Sequence, residues 1–247
     1  MTQYFPLIGA FIGAVIAQVL SHVFSIVREN NTYNKKVYQE FIYPFVTDVV
    51  LFYKTETNFR KGHDVEKEID LEKLIEDMSE KISYGNMKLM SAIYHYKSSS
   101  HFFDGRGGTQ ERERLKVFFW YLDYTVYILN KLPKKDKEMI EEIINVQKHY
   151  AIWYLVFEKL DVYEETVEFM QYDFYFPKWY MDNLSIDELR MVIEENREQF
   201  QETLQDFLVG FMNVINTELR TSSDSTFNKE HAFSKLHEEL KSYRKFN

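Results

Sequence analysis

The sequence predicts an all-α protein: one N-terminal transmembrane helix followed by a single helical-bundle-like domain of about six or seven helices. Three observations lead to that fold class. Tyr4 to Val27 contains no formal charge. Apolar residues recur at helical spacing through most of the remaining chain. No segment alternates with period two for long enough to argue a sheet. Turn residues are also scarce, with 8 Gly and 4 Pro in 247 residues, whereas strand-and-turn folds need many of them. Residues 1–29 therefore read as a membrane anchor and residues 30–247 as one all-α domain.

The anchor comes first. A bilayer core takes about 20 apolar residues in a helix, and the charge-free stretch runs for 24, bounded by Arg28 and Glu29. A signal peptide cut after Ala17 is the rival reading. Apolar residues continue past that point through Val19, Leu20, Val23, Phe24, Ile26 and Val27, so a retained anchor is preferred. Arg28, Lys35 and Lys36 follow the stretch and no basic side chain precedes it. That asymmetry puts the domain in the cytoplasm, with the span in the inner (plasma) membrane.

The span also has faces. Gly9, Gly13, Ala17, Ser21 and Ser25 recur every four residues. Small side chains in such a ladder let two helix backbones approach closely in lipid, so the expected partner is a second copy of the chain. Gln18 and His22 form an adjacent polar stripe. Polar groups in a membrane turn towards a partner or water. Interhelical hydrogen bonding and a pore-lining role are both open for that pair.

Beyond the anchor, Arg28–Lys36 reads as a short polar neck or a frayed turn. Val37, Phe41, Phe45, Val49, Phe52 and Tyr53 then hold helical spacing, with a kink or fresh start expected at Pro44. Asn58–Asp70 is a charged connector. Asp70 can cap a helix from Leu71 towards Lys97, and Ser98–Gly108 reads as a loop. Thr109 can cap a helix over Gln110–Leu132. Pro133 marks a turn, and Lys134–Leu160 follows with Ile140, Ile143, Ile144, His149, Ile152, Trp153 and Phe157 along one side. A helix over Val162–Tyr172 leads to an aromatic knot at Phe174–Tyr180. Ser185 with Glu188 matches a capping box for a long helix reaching Leu219. Thr221–Thr226 is a linker, and Asn228–Lys245 can form a last amphipathic helix.

Composition excludes several kinds of chemistry. With no Cys there is no disulfide scaffold, thiolate zinc site or Cys nucleophile. A net charge of -9 argues against nucleic acid as a partner. No His has an acidic residue three before it, and His-Glu-x-x-His and Gly-x-Ser-x-Gly are absent, so no metal, cofactor or catalytic residue is assigned. Asp161, Glu165 and Glu168 share a face that reads as solvated. The loop His101–Thr109 is Gly-rich and leads into a helix N-terminus, a place where an anion can be held. Its candidate ligand-binding residues are His101, Asp104 and Arg106, which would serve a membrane-tethered hydrolase or nucleotide-binding protein.

In general layout the chain resembles membrane-anchored bacterial phage-defence or abortive-infection proteins, with one N-terminal span followed by a helical, aromatic-rich cytoplasmic domain. The resemblance is one of layout and carries no residue across. It implies an effector that disturbs the membrane on activation, with Gln18 and His22 on the polar face of the assembled helices. A passive anchored scaffold is the remaining alternative.

Overall fold

The structure is a computed structural model that describes residues 5–99, 101, 109–194, 197–221 and 232–244. Every regular element among them is helical, with no strand. The all-α expectation therefore stands. The number of helices is larger than the six or seven expected, because several predicted helices are broken.

The first helix, α1 (Phe5–Val37), runs for 33 residues, about 50 Å at the α-helical rise. It passes straight through the expected polar neck. Thr32 donates its hydroxyl to the Arg28 carbonyl at 2.9 Å, so the polar residues bond along the helix instead of fraying it. A π turn, Tyr38–Ile42, follows at once, with the Tyr43 N–H reaching back to the Tyr38 carbonyl. Then comes α2 (Tyr43–Glu56), which carries Pro44 in its first turn. Proline lacks an N–H and crowds the carbonyl four residues before it. The break expected at Pro44 is thus realised as a wider turn just ahead of it, and the chain stays helical.

The connector holds a single turn, α3 (Lys61–Asp64). The helix expected over Leu71–Lys97 is two: α4 (Leu71–Glu80), capped by Asp70, and α5 (Met87–Ser99). Gly85 and Asn86 cause the division. Gly85 is extended, with ψ 169°, and the Asn86 side chain accepts the Leu89 N–H at 2.9 Å, starting a new helix.

The centre is a hairpin of α6 (Thr109–Lys131) and α7 (Lys137–Leu160). Arg112 lies opposite Glu158, Lys116 over Tyr154, and Phe118 against Tyr150, so the two run antiparallel. Val146–Phe157 is buried on every side of α7. The one-sided apolar stripe read from the sequence understates this, because the polar members Gln147, Lys148 and His149 are buried too. A helix apolar almost all round must be enclosed, and the rest of the domain encloses it. On one flank α2 supplies Phe52 and Tyr53 against Trp153. On the others lie α8 (Tyr163–Met170), α9 (Lys178–Asn183), α10 (Ile186–Glu194), α11 (Arg197–Thr221) and α12 (Ala232–Arg244). The long helix expected from Ser185 to Leu219 is thus α10 and α11. Ser185 accepts the Asp187 N–H at 3.2 Å, one residue short of the Glu188 that a capping box uses.

The expected span finds no support in the described residues. Among the described residues no helix is long and apolar enough to cross a membrane. The side chains of residues 5–15 lie outside the description. The charge-free part that remains, Ile16–Val27, is shorter than the roughly 17 residues a span needs.

One polar junction fixes α10 on the central hairpin. Asp123 accepts from Gln147 at 2.9 Å and from the Arg190 Nε at 2.7 Å. Replacing Arg190 with Met leaves a nearly buried carboxylate with half its partners. The expected loss is about 1–3 kcal/mol of stability, and Asp123→Asn combined with Arg190→Met recovers part of it. Urea unfolding followed by circular dichroism reads both.

Candidate functional site

The distinctive feature of α1 is that its described upper turns, from Ile16 to Val27, stand clear of the domain. Among its described side chains Ile16, Val19, Leu20, Val23, Phe24, Ile26 and Val27 are 45–69% exposed. Ala17, Gln18, Ser21 and His22 are exposed as well. Gly9 and Gly13 lie on the same helix, in the part whose side chains are not described. Of the predicted faces, the structure therefore places Ala17 and Ser21 four apart on one open side, and Gln18 and His22 one residue further round.

The foot of α1 is the opposite case. Val37, Phe41 and Ile42 are completely buried. Lys36 sits over the Tyr84 ring, 5.5 Å from its centroid. Phe41 meets Tyr121 of α6 edge-on at 5.6 Å. The Tyr121 hydroxyl donates to the Ile42 carbonyl at 2.7 Å and approaches the Phe41 carbonyl at 3.2 Å. Burial raises the Tyr121 pKa well above the usual tyrosine value, so the hydroxyl stays a donor. Burial, with Tyr33 and Tyr127 nearby, likewise pushes Tyr124 up to about 12, and α6 packs along the lower part of α1.

A second group of polar residues lies deep in the domain. Tyr53 donates its hydroxyl to Asp173 at 2.5 Å, and its ring packs on His149 at 5.2 Å. His149 is stacked on Phe176 from another side and donates Nδ1–H to the Asn145 carbonyl at 2.7 Å. Tyr150 bonds the Val49 carbonyl, and the Trp153 indole N–H bonds Thr166. The Lys148 ammonium reaches the Met181 and Asp182 carbonyls at the end of α9. A Tyr, a His, an Asp and a Lys gathered together suggest acid–base chemistry, but His149 is only 7% exposed and Tyr53 5%. A substrate has no access, and each named donor already has an acceptor. The group is a polar core that ties α2, α7 and α9 together.

The remaining sequence candidates are not assembled. His101 is exposed in the turn after α5, while Asp104 and Arg106 lie outside the described residues. No group of His and acidic side chains among the described residues could hold a metal ion. Within the acidic face, Glu165 pairs with Lys235 of α12, and Asp161 is the left-handed C-cap of α7. The aromatic knot divides. Phe169 and Phe176 are buried against Phe211, whereas Phe174 and Trp179 are 58% and 55% exposed. An open groove of about 780 Å³ between α2 and α4 is lined by Asp48, Lys73, Asp77 and Lys81 among others, a mixture with no dominant sign. Comparison with family models, with curated proteins and with solved structures finds no match to this chain.

The buried histidine sets a pH dependence. Burial holds its pKa below the ordinary histidine value. The unfolded chain therefore takes up a proton that the folded chain refuses as pH falls through about 6.5. The stability linked to His149 is full above that pH and is lost below it, by at most about 1.4 kcal/mol per pH unit. Between pH 7.5 and 5.5 the urea midpoint falls, and in His149→Gln the part of that fall due to this residue disappears.

Proposed function

We propose that this chain is a single-span membrane-anchored helical protein whose N-terminal helix crosses the cell's inner membrane and whose helical domain lies in the cytoplasm. Copies self-associate through the Gly9, Gly13, Ala17 and Ser21 face, and the domain acts through a protein partner. In this reading the chain works as a membrane effector of the phage-defence or abortive-infection type, with Gln18 and His22 on the polar side of the assembled spans.

One observation carries the reading. A helix continuous from Phe5 to Val37 leaves the domain with its described apolar side chains bare on all sides. Large apolar patches on a protein surface mark a partner or a membrane, and water is the wrong solvent for Leu20, Val23, Phe24 and Val27 together. Sequence supplies the rest. The charge-free stretch from Tyr4 to Val27 covers the upper turns. The helical part of it, from Phe5 to Val27, is about 35 Å long, against about 30 Å of bilayer core. Arg28, Lys35 and Lys36 sit where the helix would leave the lipid, which suits a cytoplasmic exit. No arrangement among the described residues favours the hydrolase or nucleotide-binding alternative at residues 101–109.

The reading is tested by mass in detergent. Full-length protein is expected to form a defined oligomer, and a chain starting at Asn30 is expected to be monomeric. Gly13→Leu with Ala17→Leu should shift the full-length protein towards monomer by tenfold or more in dissociation constant. An equal mass for the full-length and shortened chains would remove self-association through α1. Activity that survives exchange of residues 4–27 for an unrelated span would favour the passive scaffold.

A further inference from the structure

We propose that the π turn Tyr38–Ile42 is a rotary joint: held by the Tyr121 hydroxyl, it fixes which face of α1 the domain presents, and its relaxation to α-helix swaps the small-residue stripe for the polar one. The part of this concerning lipid rests on the span reading above; the joint itself rests on the fold.

A π turn bonds residue i to i+5 and so accommodates one more residue than an α turn, without breaking the helix. The helix before it therefore sits in the phase it would have if one residue were missing. If the same five residues close as α-helix with α2 held in place, α1 must advance by one residue. That is a rotation of about 100° and a rise of about 1.5 Å.

The consequence can be read off the stripes. Ala17, Ser21 and Ser25 are spaced by four, and Gln18 and His22 lie one residue on. After the advance Gln18 occupies the place, relative to the domain, that Ala17 held, and His22 takes the place of Ser21. One residue of register thus separates a close-packing face from a hydrogen-bonding face.

The hold is specific. Tyr121 is completely buried and its hydroxyl reaches two consecutive carbonyls within the turn. Phe41 fixes the same turn by edge contacts with Tyr121 and Phe45. The other two interior positions, Gln39 and Glu40, are exposed, so the turn can change its bonding on the solvent side. Higher up, the described residues Ile16–Val27 are bare, so rotation of α1 has to displace contacts at its lower end, where Tyr33 lies beside Tyr124 and Lys36 over Tyr84.

The chain has no cysteine, so pairs of introduced cysteines report directly. Spin labels are placed at Met87→Cys on α5 and at Phe24→Cys on α1, with Val27→Cys replacing Phe24→Cys in a second pair. All three native side chains are exposed. Distances are measured on full-length protein in detergent by pulsed electron resonance. The native joint is expected to give one distance for each pair. Tyr121→Phe, which removes only the hydroxyl, is expected to add a population displaced by roughly 8 Å in at least one pair, the chord of a 100° turn at a helix surface. Deletion of Gln39 removes the extra residue. It is expected to keep the native distances and to make them insensitive to Tyr121→Phe.

Unchanged distances in Tyr121→Phe, or a shifted distance in the Gln39 deletion alone, would overturn the joint. If Tyr121→Phe loses its helical signal, the Gln39 deletion decides by itself. The same samples, placed in phosphatidylethanolamine–phosphatidylglycerol vesicles and washed at alkaline pH, separate the two ideas. Protein washed off with the distance change intact would leave the joint standing and remove the span.

Discussion

The residues Val146–Phe157 of α7 are buried on every side, and this constraint orders the rest of the domain. A helix of that kind can exist in water only inside a shell, and the shell has to come from the same chain. The α6 arm of the hairpin covers one side, α2 brings Phe52 and Tyr53 to another, and α8 to α12 close the remainder. The polar members of α7 are not defects in this arrangement. Gln147 holds Asp123, Lys148 holds the end of α9, and His149 bonds within its own helix. Each uses its hydrogen-bonding capacity to fix a covering element, so burial and orientation are achieved by the same residues.

The seat of α1 follows from that shell. Phe41 and Ile42 enter the core beside Tyr121, next to the helix pair that needs covering, and the chain before them leaves as an unsupported helix. Nothing flexible intervenes between core and projecting helix: α1, the π turn and α2 form one helical path from Phe5 to Glu56. A domain joined to its anchor by a polar linker can turn freely. Here a change at the foot is transmitted to the upper turns as rotation, because the helix between them is unbroken. This is why Tyr121, deep in the core, bears on which face α1 presents.

Much of this could be read from the sequence, and the failures have physical causes. The all-helical class followed from periodicity, and the caps Asp70 and Asp136 lie where local side-chain chemistry places them. Pro44 announced a break, yet not its form. The π turn depends on Tyr121, 79 residues from Ile42, and no local pattern contains that contact. Gly85-Asn86 does not interrupt the periodicity, because the apolar stripe continues on both sides of it; the turn chemistry outweighs the period. His149 reads as one more member of an apolar face, which is how it behaves, but nothing local marks its neighbours Gln147 and Lys148 as buried, because their partners, Asp123 and the α9 carbonyls, are distant in sequence. Of the candidate residues on α1, the structure shows Ala17, Gln18, Ser21 and His22 exposed on one helix, as a continuous helical period places them. The grouping of Tyr53, His149 and Asp173 needed three elements to meet.

The central claim is that the bare turns of α1 lie in lipid while its foot lies in the protein core. Single cysteines introduced one at a time from Ile16 to Val37, in full-length protein held in native membranes, can be treated with a membrane-impermeant maleimide added to both sides. The account predicts protection from Ile16 to about Val27, labelling across Arg28–Lys36, and renewed protection at Val37. Labelling that continues all the way up, with Ile16, Val19, Leu20 and Val23 modified as readily as Lys35, would place α1 in water and contradict it.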